Sequence, residues 1–363
     1  MHPRSWQAFV CLYVIDLTDP TAPTVIGRLV TPYVGWEIER TGNFLLLAAG
    51  NSGLPVIDVS VSTSPVEVGF VNTSGPALGV NLKGDLLTVA AGTAGLRLID
   101  VSDPLAPVEI GSFASGDLSV VDVSVGFDTA YLMSSKGTPH IVDIHEPANP
   151  EELGFLARQP PGRVTFAVRE DVVAFLTYPI NHNSGSWLVD VRDPSKPSIV
   201  GYVGVMKPFA VEIIGTNAFV LTETDGLHVI DINTPSSPLE IARLALPEGF
   251  RPDWMEVHGN LVAIHNRAGT LLVDVIDPAG PKIVGVIDIG PFRVGQVVVS
   301  NNLLYITVDD VDLWAIDVSD PSVPLVVSEF ENIAGGTLFN VDAGESVAYI
   351  QGVFTSGGAC QRL

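Results

Sequence analysis

Lysine and arginine total only 18 in a 363-residue chain that carries 41 acids. Four of these bases nevertheless stand at comparable places: Arg163 in PGRVTF, Lys207 in MKPFAV, Arg251 in GFRPDW and Arg293 in PFRVGQ. Each precedes or opens an apolar run. A guanidinium presents a planar fork that grips carboxylate, sulfate or phosphate through two parallel bonds, and an ammonium adds a point charge. The chemistry such a cluster offers is capture of an anion. Trp254 and His265 fall near the same region of the pattern and join the candidate ligand-binding set. The competing expectation is pairing of each base with an acidic neighbour such as Asp253 or Asp288.

A second group lies in the stretch YPINHNSGSW, residues 178–187. It brings Tyr178, Asn181, His182, Asn183 and Trp187 together. Aromatic, amide and imidazole groups can hold a sugar ring, and His182 or Tyr178 can move a proton. These two are the catalytic candidates. The alternative is a surface insertion tolerated by the fold. Glu37, Glu39, Asp122, Glu212 and Glu256 form an acidic set suited to holding water or a cation by oxygen ligation; solvated lining is the simpler expectation. No metal or cofactor is expected. The chain has no HExxH, no GxSxG, no phosphate loop and no dinucleotide fingerprint. His140 and His228 share one column of the pattern and read as packed strand residues.

The elements that must position these groups come from a repeat. The phrase LRLIDVSDPLAPVEIG, residues 96–111, recurs eight times. Its first Asp falls at Asp16, Asp58, Asp100, Asp143, Asp190, Asp231, Asp274 and Asp317. A Pro follows each by seven residues, from Pro23 to Pro324. Six copies have Gly four residues later: Gly27, Gly69, Gly111, Gly154, Gly201 and Gly285. Intervals between successive Asp residues are 42, 42, 43, 47, 41, 43 and 43, the longest holding the YPINHNSGSW loop. Each unit carries four short β-branched and apolar runs separated by turn residues. A period of ~40–45 residues with four strands per unit reads as a propeller. The repeated Asp residues serve turns by this reading, because Asp accepts hydrogen bonds from turn N–H groups. The Gly permits a bulge or a close approach.

The expected fold is therefore all-β, an eight-bladed β-propeller with four antiparallel strands per blade. It spans residues 1–363 as one domain of eight units averaging ~43 residues. The chain starts at a third strand (9–17) and a fourth (24–30) and finishes with a first (336–342) and a second (347–353). Joined, they make one blade shared between the termini. The apolar stretch 8–15 matches the repeat column, so it reads as a strand and not as a signal peptide.

The phrases LRLIDVSDPLAPVEIG and LWAIDVSDPSVP resemble the LVIVD-repeat family of bacterial and archaeal surface-associated propellers. The resemblance covers almost the whole chain. It implies a β-propeller, often exported, with no shared catalytic residues to carry over. The second copy departs from the pattern where Val61–Thr63 replaces Asp-Pro.

A net charge of −23 argues against nucleic acid, which needs a basic surface. No apolar run approaches the roughly 20 residues of a membrane span. Cys11 and Cys360 are the only cysteines, one near each end. The functional expectation is an exported, non-catalytic propeller, extracellular, cell-surface or periplasmic. It would bind an anionic small molecule, a glycan or a protein partner on its loop face. The alternative is a lyase or hydrolase acting on an acidic polysaccharide at the channel mouth.

Overall fold

The computed structural model describes residues 9–354, except 20, 36, 115, 117, 127, 156–161, 170–171, 180–184, 194–195, 206, 268, 291–293, 301, 309–311, 331–335 and 344–345. Among the described residues, 32 strands, numbered β1 to β32 in chain order, form eight four-stranded antiparallel sheets. One sheet joins the two ends of the chain. It contains β1 (Phe9–Asp16), β2 (Thr24–Thr31), β31 (Gly336–Ala343) and β32 (Val347–Phe354), in the order β2-β1-β32-β31. The register runs from Phe9 opposite Phe354 to Asp16 opposite Val347 without a break.

The other seven sheets are sequential, for example β3 (Glu37–Thr41), β4 (Phe44–Ala48), β5 (Leu54–Asp58) and β6 (Val66–Val71). The next is β7 (Gly79–Lys83), β8 (Leu86–Ala90), β9 (Leu96–Asp100) and β10 (Val108–Phe113). The remaining sheets open with β11 (Val120–Gly126), β15 (Gly162–Arg169), β19 (Pro208–Ile214), β23 (Trp254–His258) and β27 (Val294–Ser300). First strands touch in succession, β3 to β7 to β11 and onward through β27 and β31, and β31 touches β3. Middle strands such as FLLLA are continuously apolar because both faces of each sheet are covered, and in LLTVA the one polar residue, Thr88, is buried with its hydroxyl bonded to the Asn81 carbonyl. On β1, Cys11, Tyr13 and Ile15 pack toward Tyr305 and Ala315, while Leu12 and Val14 pack toward Leu45 and Leu47. Core thus lies between neighbouring sheets, and every sheet needs both neighbours.

The repeat phrase has two mechanical jobs. In all eight copies the first Asp accepts the backbone N–H two residues on, at 2.7–3.0 Å, as in Thr18 to Asp16 and Ser319 to Asp317. The carboxylates are thereby consumed by turns. The repeated Gly sits on a bulge of the outermost strand, where the next sheet's turn comes close. A Cβ on Gly111 would lie 1.8 Å from the Pro147 carbonyl oxygen, and one on Gly285 would lie 2.0 Å from that of Pro321. Only a residue without Cβ admits that contact.

Candidate functional site on the loop face

The connections from fourth to first strand and from second to third strand lie on one face. Lys207 precedes β19 and has φ +50°. Its Nζ pairs with Glu223 Oε2 at 2.8 Å, and its carbonyl accepts the Glu223 N–H at 3.2 Å. An acid thus meets Lys207 from the next corner, as the pairing alternative expects. Arg163 lies in β15, directly opposite Tyr178 of β16 (Val172–Pro179) in the backbone register. Two candidates separated by 15 positions are thereby cross-strand neighbours. His182 and Arg293 lie outside the described residues.

Arg251 is exposed and makes no hydrogen bond or ion pair among the described residues. Trp254 opens β23 with 39% of its surface exposed, and its indole Nε1–H donates to Glu256 Oε1 at 3.1 Å. Two residues apart on a strand, both side chains share a face. Burial raises the Glu256 carboxyl to about 7, and the Glu212 carboxylate of the preceding sheet pushes the same way. Its indole bond opposes the rise. Trp254 thus donates to a carboxyl that is partly neutral near pH 7.

His265 faces Trp254 across the β23–β24 pair (β24, Leu261–Asn266), and its carbonyl accepts the Asp253 N–H at 2.8 Å. The ring is buried, with 6% exposed, and burial pushes its pKa down to about 4. At pH 7 it is a neutral imidazole. Its Nδ1 and the hydroxyl of Thr270, its partner on the following strand, are both buried without a hydrogen bond. Sequence reading missed Thr270. Its signal was weak: five of the other seven units carry Leu at that column (Leu12, Leu54, Leu96, Leu227 and Leu313), and the remaining two carry Pro139 and Ser186.

The acidic set lies on the innermost strands. Glu37 Oε2 accepts the Val80 N–H at 2.9 Å, and Glu39 Oε1 accepts the Leu82 N–H at 3.4 Å. These carboxylates satisfy the inner edge of the adjoining sheet. A Cβ placed on Gly79 would meet both Glu37 Oε2 and Asp122 Oδ1 at 3.6 Å, so the two acids crowd one spot. Burial is the first cause of the upward shifts of Glu37, Asp122 and Glu212. Among the described residues, no group of three or more His, Cys, Asp or Glu could hold a metal. No helix among them is long and apolar enough to cross a membrane. His140 and His228 pair with Glu152 and Glu240 on the outermost strand, at 2.6 and 3.2 Å, the same cross-strand relation that joins Arg97 to Glu109.

This ring of sheets is a β-propeller. Solved structures of similar fold include BamB from Moraxella catarrhalis, with TM-score 0.59 and 10% identity over 88% of this chain and 96% of that one. The computationally designed Ika8 protein gives 0.67 and 9% over 89% and 96%. Sqt1 of Saccharomyces cerevisiae gives 0.65 and 10% over 89% and 95%. Identities this low concern the fold alone. No curated protein matches the sequence. Four segments, 36–73, 74–115, 210–245 and 293–331, match the LVIVD repeat family model. The chain is a β-propeller that carries LVIVD repeats in these four segments.

Proposed function

We propose that this protein is an exported, non-catalytic propeller that binds an anionic ligand on its loop face, at Arg251 and Trp254. Each sheet serves as one blade, eight in all, and the last is shared between the termini. The closed succession of first-strand contacts supports that count. One observation carries the ligand reading: Arg251, three residues before the half-open indole that Glu256 holds, is exposed and has no acidic partner among the described residues. In a chain of net charge −23, such a base is a local positive spot at which an anion can be held. Arg163 and Arg293 extend the same set.

Export is supported by Cys11, which is disulfide-bonded and fully buried in β1. Disulfides persist in oxidising compartments. Cys360, the only other cysteine, lies outside the described residues. The experiment is a panel of acidic oligosaccharides, assayed together for binding and for product formation. Binding without turnover, lost in Arg251→Ala and weakened as salt rises, is the expected result. Product formation would instead favour the lyase or hydrolase reading. Unaltered binding by Arg251→Ala with Trp254→Ala would remove these residues from the site.

A further inference from the structure

A cleft of about 520 Å³ opens between the β4–β5 corner of the sheet β3–β6 and the connection from β6 to β7. Asn51 and Gly53 line it from the β4–β5 corner. Phe70, Asn72, Ser74 and Gly75 line it from the end of β6 and the connection to β7. Its size falls in the range of about 300–1,000 Å³ common for small-molecule sites. None of the described lining residues is charged, although the chain carries 59 Lys, Arg, Asp and Glu residues (18 and 41).

The walls are held in place. Gly50 and Ala77 exchange two backbone hydrogen bonds, each 2.9 Å, tying the corner of one sheet to the start of the next. The Thr73 hydroxyl donates to the Gly75 carbonyl at 2.6 Å, and the Ser74 N–H donates to Asn72 Oδ1 at 3.0 Å. Ser74 adopts φ +56°, a conformation unusual for a residue with a Cβ. The Phe70 ring rests against Gly53, where a Cβ would stand 2.8 Å from the ring, and 52% of Phe70 remains exposed. A flat apolar face is thus fixed beside amide and hydroxyl groups. At the corresponding places of the next junction stand Thr93, Ser112 and Ala114, in place of Asn51, Phe70 and Asn72. The combination is therefore local and not part of the repeat.

Amides and hydroxyls both donate and accept, as sugar hydroxyls do. An exposed ring takes the apolar C–H face of a pyranose, since burying that face against carbon is favourable. An anion would find no cation here. We propose that this cleft binds a neutral sugar, stacked on Phe70 and hydrogen-bonded by Asn51, Asn72 and Ser74. The proposal rests on the reading that the loop face binds ligands, but it names other residues and an uncharged ligand.

The test is saturation-transfer NMR on the intact chain. The probes are methyl glucoside, methyl galactoside and N-acetylglucosamine, with glucuronate as the charged control. Transfer to at least one neutral probe at about 10 mM is expected, with weaker transfer to glucuronate once Arg251→Ala has removed the anion site. Phe70→Ala should weaken binding about 10-fold or more, and Asn51→Ala by about 3-fold or more. Should Phe70→Ala fail to fold, Phe70→Leu keeps apolar bulk without the flat face and reads the same loss. Absence of transfer to all three neutral probes would overturn the proposal. So would sugar binding unchanged in the folded Phe70 variant and in Asn51→Ala. Arg251→Ala should leave the neutral probes bound, which separates this cleft from the anion site: either can fail alone.

Discussion

The Val80 backbone N–H donates to Glu37 Oε2 across 2.9 Å, from β7 of one sheet to β3 of the sheet before it. An innermost strand has no further strand on its channel side, so its free N–H groups need acceptors from elsewhere. Here a side chain of the neighbouring sheet supplies one. The arrangement has a cost, because Glu37, although open to solvent on one side, is packed against protein and has Asp122 and Glu39 nearby.

That cost sets a pH dependence. Burial, then the two neighbouring acids, raises the Glu37 carboxyl to about 7 despite the Val80 bond, which lowers it. A carboxyl raised above its unfolded value stabilises the fold when protonated. The contribution is present below the unfolded pKa and is lost as pH rises through about 7. Glu37 also touches solvent in the channel, which tempers the effect. Glu37→Gln keeps an acceptor for Val80 without the charge. It should raise the melting temperature by about 1–3 °C at pH 8.5 and leave it unchanged at pH 4. Equal melting of both proteins at every pH would refute the assignment.

The turn carboxylates act in the opposite sense. The backbone N–H of Ser102 bonds Asp100, and that of Ser319 bonds Asp317; each holds its carboxyl below the usual range. A depressed folded pKa gives stability above the unfolded value, lost as pH falls through the folded one. Asp100→Ala should therefore lower the melting temperature by a few degrees at most at pH 7. The difference should close as pH falls toward 2. A gap that persists in acid would mean that the carboxylate charge is not what matters.

The repeated glycines offer an internal control. Gly111 faces the Pro147 carbonyl at a distance that no Cβ can occupy. A Cβ on Gly69 would instead meet Val56 at 3.5 Å and the Pro104 carbonyl at 3.6 Å, which is ordinary contact. Gly111→Ala should cost about 2–4 kcal/mol, and Gly69→Ala less than about 1 kcal/mol, both read by denaturant unfolding. Equal losses would show that the close approach between sheets is not what the glycine serves.

Much of the architecture was legible because the repeat phrase acts locally. Each turn Asp bonds an N–H two residues away, and the four runs of each unit pair with their sequence neighbours. The closing sheet was legible because the two ends supply complementary halves of one unit. The site was less so. Lys207 stands in line with Arg251, yet Glu223 reaches it from a corner 16 residues on. Burial of His265 depends on packing between sheets, which spacing does not encode. Phe70 and Asn51 become neighbours only after β5 and β6 form, and neither belongs to a motif.

The sheet shared by the chain ends also bears on the order of assembly. As the ribosome releases the chain, β1 emerges first, and Cys11, Leu12, Tyr13, Val14 and Ile15 are all destined for burial. Their partners on β32 are made only after the other 31 strands. Until β32 is made, this apolar segment has β2 on one side and an open edge on the other. It is therefore the part of the nascent chain with the longest exposure to wrong pairing. A permuted gene that begins at β3 and joins 354 to 9 through a linker would make β32 and β1 consecutively. Such a chain would show whether late closure limits the yield of folded protein.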